Sequence, residues 1–70
     1  MSMTETSVPD SSAIISYGYD PDTSDFAVTW RGGRRTVYPG VPDKLYQQFL
    51  TARSKGQFLN VYIVNKYKPK

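Results

Sequence analysis

"DFAVTWRGGRRTVY", residues 25–38, alternates at period two on either side of a pair of glycines. Phe26, Val28 and Trp30 fall on one face of an extended chain, and Arg34-Arg35-Thr36-Val37-Tyr38 resumes an extended pattern after Gly32-Gly33. Both central residues of a primed turn need positive φ, which glycine adopts at little cost, so the stretch predicts a β-hairpin. Arg31, Arg34 and Arg35 crowd its turn. Three guanidiniums so close together can fork onto phosphates, and they equally suit an edge strand that uses charge to discourage aggregation.

Upstream, "SAIISYGYD" (12–20) alternates in the same way, placing Ile15, Tyr17 and Tyr19 on one face of a strand and Ile14, Ser16 and Gly18 on the other. Turn chemistry separates this strand from the hairpin: in "DPDTSD" (20–25) Pro21 sets φ and the Asp side chains can bond their own backbone. Asp20, Asp22 and Asp25 also make a conceivable Mg²⁺ site, although an Asp-rich turn is far more often only a turn. "MSMTETSVPD" (1–10) is polar, interrupted by Pro9 and without apolar period, so it reads as a disordered tail.

Downstream, "PGVPDKLYQQFLTARSK" (39–55) ends the sheet and begins a helix of about residues 43–53. Pro39 cannot continue a central strand, Gly40 permits a turn, Pro42 suits a first helical turn and Asp43 complements the positive end of the helix dipole. Leu45, Phe49 and Ala52 recur at i, i+4 and i+7, widened by Tyr46 and Leu50 into a stripe that packs on the sheet. Lys44, Gln47, Gln48 and Arg53 point away. In "SKGQFLN" (54–60), Ser-Lys-Gly uses the vocabulary of a phosphate cradle but follows a helix, where the free backbone groups are carbonyls. Gly56 is therefore expected to be the left-handed stop of that helix. Beyond it Phe58 pairs with Tyr62 and Leu59 with Ile63 at i, i+4, predicting a short second helix, with a strand through "NVYIV" as the competing reading.

Composition bounds what such a chain can do. Seventy residues make one domain, and a domain this small buries only about 60% of the surface its unfolded chain exposes. Without cysteine there are no disulfides or thiolate-metal sites, and without histidine the commonest general base and metal ligand are gone. Six Tyr, three Phe and one Trp must supply much of the core. The acids lie mostly in the tail and the 20–25 turn, where nothing excludes water, and Ser54 has no visible base, so the sequence points away from catalysis and from any cofactor. It has neither an apolar run long enough to span a bilayer nor a signal peptide, which makes a cytoplasmic protein without membrane attachment the expectation.

The charge is segregated along the chain. Residues 1–25 carry five acids and no base, whereas 26–70 carry all nine basic residues and only Asp43, so the two parts have formal charges of −5 and +8. A basic body behind an acidic leader fits a polyanion binder or a module that docks on an acidic protein; ordinary solvated charge gives the same pattern.

Taken in order, "SSAI", "YGYD", "FAVTW" with its glycine turn, "YPGVP" and "ARSKGQFLNVYI" resemble the KTSC family, named for a C-terminal extension of some lysyl-tRNA synthetases and also found free-standing. The resemblance covers about residues 11–67, leaving 68–70 as a basic C-terminal end. Its most specific parts are "GVP" leading into the helix and the A-x-S-K-G-x-F-x-N stretch. The chain departs from the family pattern at Thr36 and Leu59, where aromatics are common, so no aromatic role carries over there. Membership implies a small α+β domain and a nucleic-acid-binding role. The expected architecture is a three-stranded antiparallel sheet, with the hairpin paired to strand 13–19, covered by the helix and a short C-terminal helical segment.

Two functions follow as expectations. In one, a monomeric module of the transcription or translation machinery holds RNA or DNA through phosphate contacts from Arg31, Arg34, Arg35, Arg53, Lys55, Lys66, Lys68 and Lys70, with Tyr67 stacking on bases. In the other, the same basic surface docks on an acidic face of a large protein such as RNA polymerase and modulates transcription.

Overall fold

A computed structural model describes residues 5–70. Four antiparallel strands form one sheet in sequence order: β1 (Glu5–Ser7), β2 (Ile14–Asp20), β3 (Asp25–Trp30) and β4 (Arg35–Tyr38). Two helices follow, α1 (Asp43–Thr51) and α2 (Lys55–Phe58), and α2 runs directly into a π-helical segment, Leu59–Val64. The α+β class and the antiparallel hairpin are as the sequence predicts. The sheet has four strands where three were expected. The additional strand lies in the stretch read as a disordered tail: Glu5, Thr6 and Ser7 pair with Gly18, Tyr17 and Ser16. Residues 1–4 of that tail lie outside the described residues.

The hairpin turn uses its glycines as expected, with φ of 101° at Gly32 and 93° at Gly33. Its loop is one residue longer than a two-residue turn. Trp30 N–H donates to Arg34 O (2.8 Å) and Gly33 N–H to Trp30 O (2.9 Å), so Arg31, Gly32 and Gly33 are all loop. In β2 the facing of the isoleucines is corrected. Ile14 pairs with Trp30 and Ser16 with Thr29, which leaves Ile15 as an extra residue in a β-bulge. The bulge shifts the alternation by one, so Ile14 is fully buried with Tyr17 while Ile15 is 37% exposed.

One face of the sheet and the helices enclose the core. Ile14, Tyr17, Phe26, Val28 and Tyr38 meet Val41, Phe49, Leu59 and Ile63, with Leu45, Tyr46 and Phe58 packed at the margin. Tyr19 O–H donates to Val41 O at 2.6 Å, tying β2 to the turn before α1. The helix ends at Thr51, earlier than residue 53, because Ala52 is extended (φ −65°, ψ 139°). No helix among the described residues is long and apolar enough to cross a membrane.

Ser54-Lys55-Gly56 overturns the expected left-handed stop. Ser54 is the N-cap of α2, its Oγ accepting from Gln57 N–H at 3.3 Å, and Gly56 lies within the first turn of that helix. Positive φ among the described glycines is confined to Gly32, Gly33 and Gly40. The sequence permits the error because α1 ends and α2 begins within three residues, and Gly is common at both kinds of boundary. Downstream the helical reading holds. Leu59 and Ile63 are both buried, and the Phe58 and Tyr62 rings lie 4.6 Å apart.

Candidate functional site

Several cations expected at the surface are engaged within the chain. Arg31 donates through Nη2 to Ser11 O at 2.7 Å and to Pro9 O at 3.3 Å, clasping the segment between β1 and β2. Arg35 Nη2 meets Glu5 Oε2 at 3.2 Å, and Lys70 Nζ meets Asp25 Oδ2 at 2.6 Å. Lys55 reaches back to α1, donating to Leu50 O at 3.2 Å with its ammonium 5.3 Å from the centre of the Phe49 ring. Ser54 Oγ accepts in the α2 cap and one Lys55 N–H is held by Leu50 O, so both are partly committed within the chain. Among the described residues Arg34, Arg53, Lys66 and Lys68 form no ion pair.

The acidic turn is occupied by its own backbone and by Lys70. Asp20 Oδ1 accepts from Asp22 N–H at 2.9 Å, and the hydrogen bond from Lys70 holds the Asp25 carboxyl below its ordinary range. Among the described residues no three acidic side chains gather where they could share a metal ion. Tyr67 is half-buried against the core. The exposed aromatic is instead Tyr62, which is 45% accessible.

Tyr62 lies in a shallow groove of about 340 Å³, lined by Arg53, Ser54, Gln57, Phe58 and Val61 among others. The gap between α1 and α2 holds Arg53, and the helical run 55–64 carries the exposed Tyr62 one turn after the half-buried Phe58. Phe58 is anchored inward by an edge contact with Phe49, 5.9 Å between ring centres, so Tyr62 rests on a fixed base. The combination is an aromatic face, an amide and a guanidinium in one groove. Sequence reasoning found Arg53 but missed Tyr62, because its i, i+4 spacing from Phe58 also fits two core residues. A larger groove, about 560 Å³, shares Arg53, Ser54 and Gln57 with it and is lined on the other side by residues of the 8–13 segment, Asp10 among them.

A four-stranded antiparallel sheet with a helical pair folded over one face, and an exposed aromatic-cationic groove on that pair, defines a small α+β domain. The chain belongs to the KTSC family, whose domain model matches residues 10–67. The chain is 34% identical over 59 residues to a protein of Tsukamurella paurometabola, covering 84% of this chain and 88% of that protein. Its fold superposes on the crystal structure of a KTSC domain protein from Yersinia pestis with a TM-score of 0.92 and 36% identity, across 99% of this chain and 96% of that one.

Proposed function

We propose that this domain is a non-catalytic, monomeric, cytoplasmic module that binds single-stranded nucleic acid, stacking a base on Tyr62 and holding the adjacent phosphate with Arg53. The observation that carries the reading is the groove in which an exposed tyrosine, seated on Phe58, shares its walls with an arginine that has no ion pair among the described residues. Stacking on an aromatic face is tolerant of sequence and is worth about 1–3 kcal/mol per base, while the cation supplies affinity that depends on salt. π-helical turns concentrate at functional positions, and Tyr62 lies on one.

Anisotropy titrations with labelled oligouridylate and oligothymidylate test this. Affinity should fall steeply between about 50 and 200 mM salt. Tyr62→Ala should weaken binding by about 5- to 100-fold, and Arg53→Ala should lower the salt slope by about one contact. Equal affinity in the Tyr62→Ala variant would overturn the proposal. A second reading, docking on a large protein of the transcription machinery, draws on the exposed Val61, which lines the groove with Tyr62. Its signature is one partner captured from nuclease-treated lysate and lost on Val61→Asp, with negligible oligonucleotide affinity.

A further inference from the structure

The outer edge of β4 has a different chemistry. In an antiparallel sheet the backbone groups of successive residues point alternately to the two neighbouring strands. Arg34 O accepts from Trp30 N–H, so Arg34, Thr36 and Tyr38 direct their backbone groups to β3, and Arg35 and Val37 direct theirs outward. The outward direction is visible at Val37, whose carbonyl accepts from Lys70 N–H at 2.8 Å. That bond is one rung of a ladder. It brings the C-terminal residues to pairing distance, and among the described residues no second backbone bond joins them to β4.

Beside this edge runs a groove of about 540 Å³, lined on one side by Arg34 to Tyr38 and on the other by Val64, Pro69 and Lys70. Its cationic rim already accepts carboxylates, since Arg35 holds Glu5 and Lys70 holds Asp25. Phosphates would satisfy the same cations. They would leave the outward Arg35 carbonyl facing acceptors, whereas a peptide brings it an N–H donor, supplies carbonyls to the outward N–H groups of Arg35 and Val37, and replaces Lys70 N–H at the Val37 carbonyl.

We propose that the β4 edge is a docking strip for an extended acidic peptide of a partner protein, which adds a fifth strand to the sheet while its carboxylates take over Arg34, Arg35 and Lys70. This surface is separate from the Tyr62 groove and stands or falls without it. The test is an amide-shift titration of the full chain with a capped peptide of alternating Glu and Val. Matched probes are its Lys-Val counterpart, a backbone N-methylated copy and oligothymidylate. Shifts should localise to residues 34–38 and 70, and only the unmethylated acidic peptide should produce them fully. Val37→Pro removes an outward N–H and no bond to β3; it should weaken binding about tenfold, the scale of one lost rung. Arg34→Glu, at the exposed turn, should do the same, and Tyr62→Ala should change nothing. No shift at about 1 mM peptide, a range in which even the weakest useful docking registers, would overturn the proposal. So would indifference to N-methylation, or equal shifts at β4 from oligothymidylate.

Discussion

Gly56 has to be glycine because of what faces it across the fold. A Cβ built there would lie 2.5 Å from Ala13 Cβ, a distance that two methyl groups cannot share. The restriction is steric and reaches over 43 positions of sequence, so it fixes how closely α2 approaches the start of β2. Gly56→Ala should therefore cost about 1–3 kcal/mol, the usual range for forcing a methyl into a filled site. Ala13→Gly introduced into the same chain should recover much of that loss. Urea unfolding of the two single variants and the double variant measures the coupling between them. Simple additivity would show that the two positions do not touch. A glycine constrained only by positive φ would give that additive result, so the cycle separates the two explanations.

At the scale of the strand, the bulge at Ile15 makes two adjacent and chemically identical residues unequal. Ile14 is fully buried in the core cluster and Ile15 is 37% exposed. Ile14→Ala should lower stability by about 2–5 kcal/mol, while Ile15→Ala should stay within about 0.5 kcal/mol, as thermal or urea melts will register. Simple alternation from Tyr17 predicts the reverse, and the contrast shows where pattern reading stops. The hairpin was legible because Phe26, Val28 and Trp30 keep period two up to the glycines, and α1 was legible because Leu45 and Phe49 keep helical spacing behind Pro42-Asp43. β1 could not be read in that way: Glu5, Thr6 and Ser7 are all exposed and join the sheet through backbone pairing with β2, which leaves no apolar period. The one-residue slip at Ile15 likewise leaves composition and spacing unchanged. The cations of the candidate surface were legible as residue types. Their internal partners were not, since Ser11 O, Glu5, Leu50 O and Asp25 lie on other elements and only folding brings them within reach.

The whole molecule depends on an aromatic hub, because a 70-residue chain without cysteine has no covalent staple. The Phe49 ring makes edge contacts with Tyr17 (4.9 Å), Phe26 (5.0 Å) and Phe58 (5.9 Å). Phe49→Ala should cost about 3–5 kcal/mol against a total of about 4–10 kcal/mol for a domain of this length. A variant melting within a few degrees of the parent would show that the hub is not central. Ionisable groups with shifted pKa values set the pH range in which the fold persists. Below neutrality the relevant group is Asp25, held low by Lys70; its contribution is complete above the ordinary carboxylate value of 3.8 and is lost only as pH falls through the lower value in the fold. Above neutrality the relevant groups are Tyr38 and Tyr46. Burial raises both phenols above the ordinary value of 10.0, outweighing the nearby Arg34 at Tyr38 and reinforced by Tyr17 and Asp43 at Tyr46. In the unfolded chain these phenols lose their protons first. Stability should therefore be level up to about pH 10, the unperturbed tyrosine value, and then decline until pH exceeds the raised values in the fold. Urea unfolding across that range measures the decline, and the Tyr38→Phe, Tyr46→Phe double variant should show a shallower one. An equally steep decline in the double variant would mean that Tyr38 and Tyr46 ionise as freely in the fold as out of it.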